Sequence, residues 1–239
     1  MMSEKKSFIA AKSIIKTTGN WMLWYISILV FIQIIFGIIL VAFGYDKNGM
    51  PFLDGETSWT IIHTVSNSAN IYFLVTGILS LGTLLKYYIS NGVTRRDFFR
   101  ATIISMFTLT IGLTLIVSVL YGIETIIYSM NGWIRDVSVN FMYFVKMAVE
   151  LSIYFLIGMF ISAGFNRLGV ILGVGICFLS VPIIIIYSVV WGELVDLPLL
   201  GVLQFGGIHF AFALLGSLAI LVILCYFIRS LTKNIPVKA

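Results

Sequence analysis

Six stretches of this chain run for about twenty residues or more with almost no charge, near 23–44, 61–85, 101–123, 143–164, 168–190 and 207–228. A helix rising about 1.5 Å per residue needs about 20 residues to cross roughly 30 Å of hydrocarbon, so each run is long enough. The runs are continuous. A barrel strand would alternate polar and apolar positions and be about half as long. The pattern predicts an all-α polytopic membrane protein, with residues 1–239 forming one transmembrane domain of six transmembrane helices.

Two further stretches do not read as plain loops. Over residues 7–18, Phe8, Ala11, Ile14 and Ile15 share one helical face while Lys12 and Lys16 lie on another. That predicts an N-terminal amphipathic helix lying in the membrane interface. Its two lysines also interrupt the apolar core that a cleavable signal peptide would need. The stretch 192–207, GELVDLPLLGVLQFGG, is too apolar for an ordinary loop and too short to span. A re-entrant dip with a turn at Pro198 fits its length, provided protein covers its backbone polar groups.

Composition supports the lipid setting. The 239 residues are 60% hydrophobic and 10% charged, where a soluble domain carries about 25% charge. Cys177 and Cys225 both lie in apolar runs and read as small apolar side chains rather than a disulfide. Charge also orients the chain. Twelve of the 15 basic residues fall before the first run, between the second and third, between the fourth and fifth, and after the sixth. Most carboxylates, Glu124 among them, fall in the opposite connections. By the positive-inside rule both termini are expected on the cytoplasmic side. The net charge of +5 is spread over four separate segments, so it is a topology signal and no nucleic-acid footprint.

One cytoplasmic connection is unusually built. SNGVTRRDFFR, Ser90 to Arg100, holds three arginines and two adjacent phenylalanines. Asn91-Gly92 is a turn signal, because both residues tolerate positive φ. Thr94 followed by Asp97 forms a Thr-x-x-Asp box that would cap a short helix starting there. Arg95, Arg96, Phe98, Phe99 and Arg100 would ride on that helix. Two readings stand side by side. The arginines bind lipid phosphates while the phenylalanines dip into the acyl region. Alternatively the aromatics fill a pocket on a cytoplasmic partner and the arginines set its orientation.

The run YYISNGVTRRDFFRATIIS, Tyr87 to Ser105, resembles the Asn-Gly-hydrophobic-Ser/Thr-Arg-x-x-Phe-Phe pattern of bacterial ABC-2-type ABC transporter permeases, and it occupies the same place between spans two and three. The layout of an amphipathic helix, six spans, two cytoplasmic ends and an apolar outer segment is similar too. The resemblance implies a permease subunit of an ATP-driven exporter in a bacterial plasma membrane. It implies a cytoplasmic coupling helix, with Asn91 and Gly92 turning into it and Thr94 and Asp97 capping it. Phe98 and Phe99 would dock on a separate nucleotide-binding ATPase subunit, and Arg95 or Arg96 would pair with that subunit's acidic groups. A second copy, or a paralogous permease, would complete the path. No Gly-x4-Gly-Lys-Ser/Thr motif occurs in the chain, so ATP and Mg are expected on the partner and no cofactor here. Within the family, a chain this short and apolar is similar to exporters of amphipathic or antimicrobial peptides, such as those handling phenol-soluble modulins.

Polar residues inside spans are costly and are functional candidates. His63, Asn67 and Asn70 form one stripe of span two. They serve either interhelical hydrogen bonding or a substrate path. Lys146 and Glu150 stand at i and i+4 in span four, as a structural pair or as path-lining charges. His209 opens span six. Gly169-x3-Gly173 in span five is a close-packing pattern, and Pro182 should kink that span. With two distant histidines and no cysteine or carboxylate at ligand spacing, no metal site is expected. No nucleophile constellation is visible, so the chain is expected to be no enzyme. A secondary transporter, or a membrane-embedded enzyme or assembly factor without an ATPase partner, remain the alternatives.

Overall fold

The computed structural model describes residues 2–42, 61–130, 139–192, 195–197, 201–203 and 209–233. Its elements are α1 (Met2–Ala42), α2 (Ile61–Leu79), a π-helical turn (Ser80–Leu84), α3 (Leu85–Ser90), α4 (Arg95–Met130), α5 (Phe141–Val190), β1 (Val195–Leu197), β2 (Gly201–Leu203) and α6 (Phe210–Thr232). Among the described residues, five helices are long and apolar enough to cross a membrane. This is the architecture of a multi-pass helical membrane protein, since helices satisfy their own backbone polar groups where no water can.

Three expectations change. The amphipathic stretch 7–18 is no separate helix, because α1 runs unbroken for 41 residues from Met2 to Ala42. Its buried positions are Ser7, Ala10, Ala11, Ile14 and Thr18, while Phe8 is 67% exposed. Small residues thus face the protein, and Ser105 Oγ of α4 donates to the Ala11 carbonyl at 3.3 Å. The two helices expected over 143–164 and 168–190 are present as the arms of α5, and what changes is Gly169 (φ 83°, ψ −174°), which breaks the helix between them instead of packing within the second. Only glycine adopts that conformation readily. The arms then fold against each other. A side chain on Gly173 would collide with the Phe165 ring, one on Gly164 would collide with Ile176, and the Tyr187 hydroxyl donates to the Lys146 carbonyl at 3.5 Å. The close approach predicted for Gly169-x3-Gly173 is therefore between the arms of one hairpin. Pro182 lies inside the second arm, and the departure from helical geometry is at Gly169 instead.

The third change concerns 192–207. Its described residues form two antiparallel strands, with Val195 opposite Leu203, Asp196 opposite Val202 and Leu197 opposite Gly201. The strands satisfy backbone groups on each other, which answers the need for cover that an apolar segment creates. Pro198 lies outside the described residues.

The tightest packing is between α2 and the first arm of α5. A Cβ on Gly77 would run into the Phe155 carbonyl, and one on Gly158 into the Leu74 carbonyl. Both glycines therefore let backbone meet backbone, the close approach by which helices attract one another in lipid. Ala69, Phe73, Leu151, Phe155 and Met159 are buried around this crossing. On one side α1 packs along α4, and on the other α6 packs along α5.

Replacing Gly77 or Gly158 with Ala should lower unfolding stability in detergent by about 2 kcal/mol or more, as overpacking does. Gly112→Ala, where an added methyl meets nothing within 4 Å, should be neutral or slightly stabilising by helix propensity. Equal thermal midpoints for all three variants would contradict the backbone contact.

Candidate functional site: a capped hairpin at the basic end and a polar layer at the other

The turn SNGVT joins α3 to α4. Asn91 closes α3, its side-chain Nδ2 donating to the Tyr87 carbonyl at 2.8 Å, and Gly92 takes φ 78°. The N-cap read from the sequence is present, reinforced by a bond between the Thr94 and Asp97 side chains. The Asp97 N–H donates to Thr94 Oγ1 at 3.2 Å, and the Thr94 hydroxyl donates to Asp97 Oδ2 at 2.7 Å. Asp97 also places a carboxylate in the first turn, where the helix dipole favours negative charge.

The expected separate coupling helix is absent as an element. Arg95 to Arg100 are the first residues of the 36-residue α4, so the connection is a helix–turn–helix hairpin made of α3 and the start of α4. Its side chains divide into two sets. Phe98 is fully buried, its ring 5.8 Å from that of Tyr88. It belongs to the core of this chain and does not stand out as a docking knob. Phe99 is half-buried under the Arg229 guanidinium, 5.6 Å from the ring centroid. Arg95 Nη1 donates to the Lys233 carbonyl of α6 at 3.1 Å. Asn91, Gly92, Thr94, Arg96 and Arg100 are exposed. The hairpin is thus a rigid projection, with Phe98, Phe99 and Arg95 holding it to the bundle and a polar, basic outer face open to contact.

Basic residues from separate segments meet here. Arg167, beside the Gly169 break, donates from Nη1 to the Ser230 carbonyl at 2.7 Å. Asn166 donates to the Ser162 carbonyl at 2.9 Å and reaches the Leu81 carbonyl in the π turn at 3.4 Å.

At the other end the polar residues of the spans form a layer. Asn70 Nδ2 donates to Glu150 Oε1 at 2.6 Å, joining α2 to α5. Lys146, one turn along, places its ammonium 5.5 Å from the Trp191 ring centroid. Trp191 Nε1 in turn donates to Ser217 Oγ of α6 at 2.9 Å. Tyr25 and Tyr72 stack at 4.8 Å, with Tyr25 donating to Ser68 Oγ at 2.6 Å and Tyr72 to the Thr18 carbonyl at 3.1 Å. The predicted stripe of span two therefore divides. Asn70 turns to Glu150 and Asn67 lies on the exposed side, while the side chain of His63 lies outside the described residues. His209 is exposed at the start of α6, its ring edge-on to Phe212 at 6.5 Å, and does not join this layer.

The pattern of apolar runs places Glu124 in a connection, but it lies in α4, 7% exposed. The signal was the apolar run TIIY that follows it and continues the helix past the expected end at 123. Among the described residues no group of three His, Cys, Asp or Glu could hold a metal ion.

No protein-family model matches the chain, and neither any curated protein nor any solved structure matches it.

Phe98→Ala should therefore cost about 3–5 kcal/mol of stability, as emptying a core phenylalanine site does. Chemical denaturation in detergent measures it, and a loss below about 1 kcal/mol would mean the ring is not core. At the other end, Glu150→Gln keeps an acceptor for Asn70 and should leave stability within about 1 kcal/mol. Glu150→Leu strands the amide and should cost about 1–3 kcal/mol. The same measurement decides this pair, and equal losses would argue against the hydrogen bond.

Proposed function

We propose that this chain is the transmembrane permease subunit of an ATP-driven exporter of the ABC-2 type, coupling hydrolysis on a separate nucleotide-binding subunit to movement of a substrate. The observation that carries the reading is the capped α3–α4 hairpin. It is rigidly joined to the bundle through Phe98 and Tyr88, joined to α6 through Arg95, and carries exposed Arg96 and Arg100 at its outer face. Force applied there is transmitted into two helices rather than absorbed by a loose loop.

The span pattern supports the same reading. The two arms of α5, residues 141–168 and 170–190, are about 42 Å and about 31 Å long at 1.5 Å per residue, so each suffices for one crossing. Counting both gives six crossings, with the basic ends of α1 and α6 and the hairpin on the cytoplasmic side of a bacterial plasma membrane. A six-span chain is too narrow to enclose a wide path, so a second copy or a paralogue supplies the other wall. ATP and Mg belong to the partner. The layer around Asn70, Glu150 and Lys146 would face an amphipathic substrate, an antimicrobial peptide of the phenol-soluble modulin kind being the class that the family resemblance suggests.

The reading is tested by purifying the chain from its native membrane, identifying any nucleotide-binding ATPase that accompanies it, and reconstituting the two in vesicles. Arg96→Glu combined with Arg100→Glu should lower transport-coupled hydrolysis about tenfold or more, since reversing a charge at an interface costs several kcal/mol. The thermal midpoint of the permease alone should not move, because both side chains are exposed. The absence of any ATPase in the intact assembly, or unchanged coupling in the double variant, refutes it.

A further inference from the structure

The last turn of α6 is ringed by arginines from three elements. Arg95 comes from α4 and donates to the Lys233 carbonyl at 3.1 Å, and Arg167 comes from α5 and donates to the Ser230 carbonyl at 2.7 Å. Arg229 belongs to α6 itself and lies over the Phe99 ring. The first two contacts cap the carbonyls that a helix end leaves unsatisfied, and they place positive charge at the negative end of its dipole. Arg229 is different. Its Nη1 is buried and has no hydrogen-bond partner among the described residues. A buried guanidinium N–H with no acceptor is unfavourable, because it has left water without a replacement partner. Asp97, the buried carboxylate of the neighbouring helix start, is engaged by the Thr94 hydroxyl.

The surface leading to this point is apolar. Val222 and Tyr226 precede Arg229 at i−7 and i−3, so the three share one stripe of α6, and the first two are 69% and 71% exposed. A ligand following this stripe would be a hydrocarbon chain ending where the guanidinium lies.

We infer that Arg229, with Arg95 and Arg167, forms a binding site for the headgroup phosphate of a membrane phospholipid, whose acyl chain lies along Val222 and Tyr226. Arginine suits the task, since its planar fork meets two phosphate oxygens at once. The lipid would bridge α4 and α6 at the point where Arg95 already joins them. The inference requires that the chain lie in a membrane and is independent of the ATPase reading.

The test uses the full chain in a neutral maltoside detergent. Phosphatidylglycerol, diacylglycerol and inorganic phosphate are each titrated, and the readouts are thermal midpoint and bound lipid by native mass spectrometry. Phosphatidylglycerol should raise the midpoint of the natural chain, while diacylglycerol, which lacks the phosphate, should not. Arg229→Gln should bind phosphatidylglycerol about tenfold or more weakly, as loss of a charge-assisted hydrogen bond implies. Arg229→Lys should fall between the two. Without lipid, Arg229→Gln should lose only the contact over Phe99 and shift the midpoint slightly, while the rise produced by phosphatidylglycerol should be largely lost; a purely structural Arg229 would give a large lipid-independent fall and an unchanged lipid-induced rise. Equal binding by the natural chain and Arg229→Gln overturns the site. Equal stabilisation by inorganic phosphate alone overturns the lipid assignment. Failure of the ATPase to co-purify would leave all of these outcomes unaffected.

Discussion

The crossing of α2 and α5, where Gly77 faces the Phe155 carbonyl and Gly158 the Leu74 carbonyl, constrains the rest of the bundle. In hydrocarbon no hydrophobic gain drives helices together, so association rests on close approach and interhelical hydrogen bonds. The glycines supply the first and Asn70–Glu150, at 2.6 Å, the second. Beyond this crossing the same helical rod widens into the π turn at Ser80–Leu84, where the Leu85 N–H reaches back to the Ser80 carbonyl, five residues earlier. One extra residue per turn rotates everything beyond it by about 100° relative to a straight α-helix. That rotation brings Tyr88 against Phe98 and sets the direction in which the hairpin leaves the bundle. Asn166, donating toward the Leu81 carbonyl, supports a backbone group within the widened turn.

Much of this was legible in the residues. The apolar runs located the helices, because lipid permits few alternatives to a helix of that length. Thr94, Asp97 and Gly92 announced the cap and the turn through local chemistry alone, and the Asp97 N–H is capped by Thr94 as expected. What depended on tertiary partners was not legible. Phe98 and Phe99 are adjacent in sequence, so they point about 100° apart on a helix, and only the position of Tyr88 decides that Phe98 turns inward. Gly169 was legible only as a close-packing glycine within span five, and nothing local shows that its own backbone, at φ 83°, is the break between the two arms. The continuity of α1 was equally hidden. Its buried face is made of Ala10, Ala11, Ile14 and Thr18 against α4, whereas an isolated segment would have been ordered by its larger residues, Phe8 among them.

The division of the hairpin into an inward set and an outward set bears on how such an element could act. A lever works only if its attachment is stiffer than the load. Burial of Phe98 contributes on the order of 2–3 kcal/mol, and the solvent-exposed Arg95 hydrogen bond to a helix-terminal carbonyl about 1 kcal/mol or less. Exposed Arg96 and Arg100 contribute little to the fold, as surface charges do, which leaves them open to a partner's charge at no structural loss. An aromatic pair docking outward would have had to give up that attachment. The attachment is also distributed, since Arg95 grips α6 while Phe98 grips α3. A push on the tip therefore reaches α6 through a polar contact and α2 through a packed one. Movement of α6 relative to α5 is resisted at its other end by the Trp191–Ser217 hydrogen bond, beside Lys146. On the proposed reading this places the polar layer of the far end at the terminus of a force path that begins with two exposed arginines, and it requires no change in the α2–α5 crossing at Gly77 and Gly158 that the path runs around.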